Sequence, residues 1–292
     1  MLGLAASIWS HQSLDNGNRY PLKDVLSSKA LPVRSFRDLV KSVANISYNN
    51  PEHVLFFRGQ GKEFFKKKDE IPVSSFYPSI YRSPGTILTE AEVEKRFSNL
   101  DKQADELLSL FKQRGIQGHE KLSKFPELVW AILQHYEVCS TPLLDLTHSL
   151  RVAASFALNE DNDEGYLYAF GFPHPNGSIT YSVESELMNI RLLSICPPEA
   201  QRPYFQEGFL VGTFPARRLR KQPSLDVGVR LIAKFRLLST RFWDNHFHAI
   251  PQAALYPKKD IVNKLCDPLR EEVIYSHSKG ASTGMRPRRC TG

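Results

Sequence analysis

Apolar residues recur along the chain with two periods, and each period predicts a different kind of element. Val93, Phe97, Leu100, Ala104, Leu107 and Phe111 follow one another at alternating steps of four and three. That spacing gathers them into one stripe of a helix over 89–114. Thr89 and Glu92 have the spacing of a capping box, and Gly115 stands where a helix would end. Pro126 opens a second helix to about Tyr136, with Leu128, Ala131, Ile132 and His135 on one side. A third helix follows over 150–158, with Ser149 as its cap. Strands are predicted at EHVLFF (52–57), LLDLT (143–147), YLYAFGF (166–172), FLVGTF (209–214) and VGVRLIAKF (227–235). KDIVNKL (259–265) reads as helical, and the prolines within 173–203 argue for loops there. From Ser276 the chain is Gly, Ser, Pro and Arg without periodicity, which predicts a disordered basic tail over 276–292.

Helices and strands interleave without regular βαβ spacing, which points to an α+β fold. There is no GxGxxG and no Walker loop, so nucleotide sites of those two kinds are not expected. The 292 residues, 41% hydrophobic and 24% charged, suit one large globular domain or two small ones. We expect a single domain over 1–275 with a helical insertion at about 89–138. No apolar run approaches the roughly 20 residues of a membrane span, and MLGLAASIW lacks the basic start of a signal peptide. The net charge of +7 leans towards an anionic cofactor or a polyanionic partner. Its clusters, KKK at 66–68, ARRLRK at 216–221 and RPRR at 286–289, read first as solvated surface. Cys139, Cys196, Cys266 and Cys290 lie far apart, so neither a metal site nor a disulfide framework is expected, and a cytoplasmic location is the default.

Three segments carry a resemblance. The first is Phe57-Arg58-Gly59-Gln60. The second runs from Leu128 through Gln134-His135-Tyr136 to Leu143-Leu144-Asp145-Leu146-Thr147 and Ala153-Ala154-Ser155-Phe156-Ala157. The third is Arg202-Pro203-Tyr204-Phe205-Gln206-Glu207-Gly208-Phe209. Together, over about 50–260, they resemble the FRG domain, whose middle motif reads Q-H-Y-G-x-P-T-R-L-L-D-W-T and whose third is R-x-x-x-Q-x-G-x-F. This chain departs with Glu137 for the Gly, Ser140-Thr141-Pro142 for P-T-R and Leu146 for the Trp.

The order of the pieces is also distantly similar to the toxin-like ADP-ribosyltransferases. There an Arg ends the first strand, a Ser-Thr-Ser strand leads into an A-x-x-F-A helix, and a later strand carries a Glu. Here Asp145 stands where the first Ser would be, and Thr147 at the last. The resemblance implies a split, mostly antiparallel sheet and transfer of ADP-ribose from NAD to a macromolecular acceptor, protein or nucleic acid, without metal or membrane. A microbial toxin or defence factor would fit.

In that reading Arg58 grips the diphosphate through paired hydrogen bonds, Gly59 lets a ligand approach, and Gln60 lies beside them. Arg58 could instead lock a buried carboxylate such as Asp145. Thr147 and Ser149 orient a ribose or serve as ordinary caps. Glu207 is the candidate acid that stabilises charge on the ribose. Gln206 could hold that place instead, and Asp145 would then have to supply the acid. Gln134 and Tyr136 read as scaffold. Two other functions stay open: a non-catalytic binding module, and a hydrolase with His135 as base oriented by Asp145.

Overall fold

The structure, a computed structural model, describes residues 1–4, 7–68, 70–82, 88–158, 163–216, 225–239 and 241–278, with the backbone alone at 68 and 271–278. Short helices α1 (Ser13–Asn16) and α2 (Leu22–Ser27) lead to β1 (Leu31–Val33), then α3 (Phe36–Tyr48) and β2 (Val54–Gln60). A hairpin of β3 (Phe65–Lys68) and β4 (Ile71–Ser74) follows. Next come three helices, α4 (Glu90–Gln113), α5 (His119–Leu122) and α6 (Pro126–His135). Then follow β5 (Leu143–Thr147), α7 (Leu150–Ala157), β6 (Glu164–Phe172), β7 (Ile179–Ser182), β8 (Leu187–Arg191), α8 (Leu192–Ile195) and α9 (Arg202–Gln206). The chain closes with β9 (Gly208–Thr213), β10 (Leu231–Leu238), α10 (Gln252–Leu255) and α11 (Ile261–Ser278).

Eight strands form one sheet in the order β1-β10-β6-β2-β5-β9-β8-β7, antiparallel except for β1 against β10. The expected α+β class and mostly antiparallel sheet are both present. In the middle of the sheet β2 and β5 pair only at Phe57 opposite Thr147. On either side the pairing is continuous, seven registered pairs for β2 with β6 and five for β5 with β9. The sheet is therefore divided at its centre into two halves that barely hold hands.

Two cores flank the sheet, and the first spans the split, taking Leu144, Leu146 and Phe209 as well as residues of β2, β6 and β10. It gathers Phe56, Phe57, Leu167, Phe170 and Phe235 with α3 and α7. The other packs the stripe of α4 and nearly all of α6 against Leu143, Ile190 and Leu210. All six residues of the predicted α4 stripe are buried, and the Thr89–Glu92 capping box is formed. Ser149 caps α7 by accepting from the Val152 amide.

Three expectations need correction. The region 173–203 holds the β7–β8 hairpin and helices α8 and α9. β8 is buried on both faces, so it shows no alternation by which a strand is read. Residues 227–230 form a 3-10 turn ahead of β10, because the Asp226 side chain accepts from the Gly228 amide and bends the chain. The predicted tail begins too early, since α11 runs on to Ser278. Its remainder, with the basic clusters at 217–221 and 286–289, lies outside the described residues.

Candidate functional site

Register decides which side chains can meet at the split. Phe57 and Thr147 oppose one another and so point to one face. Asp145, two residues from Thr147, shares that face. Arg58, next to Phe57, points to the other. Arg58 and Asp145 thus stand on opposite sides of the sheet and touch through it. Arg58 Nη1 donates to the main-chain carbonyl of Asp145 at 2.7 Å.

On the Asp145 face the polar groups form a closed lattice. Asp145 Oδ1 accepts from His135 Nδ1 at 3.0 Å, and Oδ2 accepts from Gln134 Nε2 at 2.9 Å. The Gln134 Oε1 in turn accepts from the Thr141 hydroxyl at 2.6 Å. A carboxylate only accepts, so the His135 proton sits on Nδ1 and the Nε2 lone pair faces inward. His135 is 2% exposed, and its Nε2 is buried with no hydrogen-bond partner. Burial lowers the His135 pKa against the pull of Asp145. Burial works to raise Asp145, but His135, Gln134 and Arg58 outweigh it and its pKa is lowered. The ring lies over Gly208, where a Cβ would come 3.1 Å from His135 Cε1.

On the other face Arg58 opens onto a cavity of about 590 Å³. Gln60, Phe64, Phe65, Tyr77 and Arg82 share its wall, and Leu144 of β5 closes it across the split. The Arg58 Nε and the Gln60 Oε1 are buried with no hydrogen-bond partner. Burial lowers the Arg58 pKa, while the Asp145 carboxylate opposes that shift. Lys66 also lines the cavity, held at 2.5 Å from the buried carboxylate of Asp226. The cavity therefore offers cationic groups and aromatic rings in one concave place. That combination suits a ligand with a negative charge and a planar ring.

The other expected site residues do different work. The space beside Gly59 is filled by helix α7, since a Cβ there would fall 1.8 Å from the Ala153 carbonyl oxygen. Its missing side chain admits a helix, not a ligand. The Thr147 hydroxyl accepts from the Ser149 amide at 3.0 Å, and Ser149 is the α7 cap. Gln206 is buried, and its Nε2 donates to the Leu255 carbonyl at 2.9 Å. Glu207 is exposed, in a left-handed conformation with φ 47° at the end of α9. It does not line the Arg58 cavity.

Tyr136 and the third motif make a separate clamp. Asp260 Oδ2 accepts from the Tyr136 hydroxyl at 2.8 Å and from the Arg202 amide at 2.7 Å. The Arg202 guanidinium stacks on Tyr256 and pairs with Glu137 at 2.6 Å. Glu137 stands at φ 56°, where glycine is favoured.

Sequence reasoning missed most of the cavity wall. Phe64, Phe65, Tyr77 and Arg82 carry no motif. Lys66 was read as part of a solvated run, though it turns inward to Asp226. That acid gave no signal in the sequence, because Asp226 lies 160 residues away. His148 was also missed. It is wedged between Phe56 and Phe209, with ring centroids 4.0 and 4.3 Å away.

The fold and site thus define an α+β protein with a split sheet and an anion-suited cavity at the split. Residues 54–165, from β2 to the start of β6, match the family model of the FRG domain. That match contains Arg58, His135 and Asp145 and ends before the Arg202–Phe209 segment. Comparison with curated proteins and with solved structures returned no match. Among the described residues no helix is long and apolar enough to cross a membrane, and no cluster of three or more His, Cys, Asp or Glu could hold a metal ion.

Proposed function

We propose that the chain is an ADP-ribosyltransferase that takes NAD into the Arg58 cavity and passes ADP-ribose to a macromolecular acceptor, protein or nucleic acid. The observation that carries this reading is the place of Arg58. It stands on β2 beside the split, two residues before the strand ends, and its side chain lines a cavity walled by aromatic rings. The residues fit the dinucleotide. Arg58 would hold the diphosphate, Phe64, Phe65 or Tyr77 would stack on a base, and the Gln60 Oε1 would accept from an amide or amine of the ligand. NAD supplies a glycosidic bond whose cleavage leaves positive charge on the ribose, which a nearby carboxylate stabilises.

Among the described residues no carboxylate lines the cavity, so the acid would have to be brought to the ribose from Asp145 or Glu207. Asp145 meets Arg58 only through its main-chain carbonyl and turns its carboxylate to the opposite face, while Glu207 is exposed and Gln206 is tied to Leu255. The second reading, a binding module without turnover, is favoured by one observation: both Asp145 oxygens are already engaged. A hydrolase using His135 as base gains no support, because its free nitrogen is sealed in the core.

The test is calorimetric titration with NAD beside nicotinamide release. Arg58→Ala should weaken NAD binding by roughly tenfold or more, as expected for loss of a charge-assisted contact. Asp145→Asn should bind but turn over about a hundredfold more slowly, the usual scale for a group acting on transition-state charge. Normal turnover by Asp145→Asn with a dead Glu207→Gln would move the acid to Glu207. Binding without nicotinamide release by the unaltered chain would leave the module reading, and no binding at all would end both.

A further inference from the structure

A second cavity lies at the other end of β2 and surrounds a different arginine. Arg230 is 4% exposed. Its Nε donates to the Gly171 carbonyl at 2.8 Å, and its Nη1 makes a long contact of 3.4 Å with the Leu2 carbonyl. The guanidinium also lies 5.8 Å from the Phe172 ring centre. The buried cations Lys234 and Arg202 have carboxylates, Glu63 at 3.1 Å and Glu137 at 2.6 Å, and half-buried Lys66 has Asp226 at 2.5 Å. Among the described residues no carboxylate pairs with Arg230. Burial alone acts on it, pushing its pKa down to about 10. A buried charge without a counter-charge is costly, and neutral carbonyls only partly offset that cost.

Arg230 lines a cavity of about 730 Å³ whose walls include Leu2, Leu4, Ile8 and Pro173. His53 stands in the same wall with its Nδ1 buried, 3.6 Å from Glu52 and without a hydrogen-bond partner. Glu52 and Glu184 lie at the exposed rim. Those two carboxylates oppose a highly charged ligand such as a nucleotide. A single negative charge carried deep on an apolar body satisfies both parts of the cavity: the carboxylate reaches Arg230, and the body covers the apolar wall.

We propose that this cavity binds an apolar monocarboxylate, with its carboxylate on Arg230 and its hydrocarbon against Leu2, Leu4 and Ile8. The site is separate from the Arg58 cavity and does not depend on what that cavity binds.

The test is titration calorimetry of the full chain with octanoate, octanol and inorganic phosphate. Octanoate should bind one to one and raise the melting temperature. Octanol and phosphate should each bind at least roughly tenfold more weakly, since each lacks one half of the recognition. Arg230→Met should weaken octanoate by roughly tenfold or more while leaving octanol unchanged. Should Arg230→Met fail to fold, Glu184→Lys at the exposed rim reads the same field. It should tighten octanoate by roughly threefold in low salt. Equal binding of octanol and octanoate, phosphate binding as tight as octanoate, or unchanged octanoate affinity in both variants would overturn the proposal.

Discussion

The two faces of the sheet at its split hold polar assemblies of opposite character. On one face Asp145, His135, Gln134 and Thr141 form a lattice in which both carboxylate oxygens are used. On the other, Arg58 and Gln60 face a cavity with buried polar atoms left unpaired. Satisfied buried networks fix geometry, because breaking any member strands the rest. Unsatisfied groups on a concave wall have capacity for a ligand. The difference teaches that a motif's polar residues need not share one task. Here the Q-H-Y and L-L-D residues set the position of β5, and β5 sets where Arg58 can reach.

The strongest way to break this contrast is to remove the centre of the lattice. Asp145→Ala would strand the buried His135 donor and take an acceptor from half-buried Gln134, at a cost of about 1–3 kcal/mol. Arg58→Ala should cost less stability but remove most ligand affinity. Urea unfolding of both variants beside ligand titration checks the division. A cost below about 1 kcal/mol for Asp145→Ala would mean the lattice is not structural.

Acid titration sharpens the comparison, because histidines buried neutral lie on both sides. Burial lowers His135 in the lattice and lowers His148 to about 4, both from an ordinary 6.5. Away from the split, burial also lowers His11 from 6.5 to about 4. Its Nε2 lies 3.0 Å from the Lys29 carbonyl, and its Nδ1 accepts from the Lys234 amide. In each case the unfolded chain binds the proton more readily than the folded one. Stability should therefore be full above pH 6.5 and fall as pH drops towards 4. For His11 alone the loss approaches about 3 kcal/mol. Unfolding free energy measured at several pH values tests this, and a flat profile over that window would refute it.

The smallest effect concerns Glu137, which occupies a left-handed position and pairs with Arg202. Glu137→Gly should relieve roughly 1 kcal/mol of backbone strain and lose a comparable interaction with the guanidinium. The net change in unfolding free energy should be within about 1 kcal/mol of zero. A large loss would show that the Arg202 pair is a main tie between α6 and α9.

Much of the fold was legible because it is local. The α4 stripe, the Thr89–Glu92 box, the Ser149 cap and the LLDLT strand each rest on contacts within a few residues, and all were found where expected. The motif residues His135 and Asp145 were also placed together correctly, since a short helix end and the next strand can hardly separate them. Gly59 and Gln206 show what local spacing leaves out. A residue's type says what it can bind, but not which neighbour arrives first. At Gly59 that neighbour was a helix backbone, and at Gln206 it was the Leu255 carbonyl.

By itself the sequence determined the periodic elements, the mixed class and the family of the central segment, because each is encoded in spacing along the chain. Tertiary structure alone decided three things: that the sheet parts between β2 and β5, that Arg58 and Asp145 take opposite faces of it, and that Arg230 is buried without a carboxylate. Each of these depends on strand register or on groups far apart in sequence. A one-residue step in register reverses the face of every side chain, and no local pattern around Arg58 records that step.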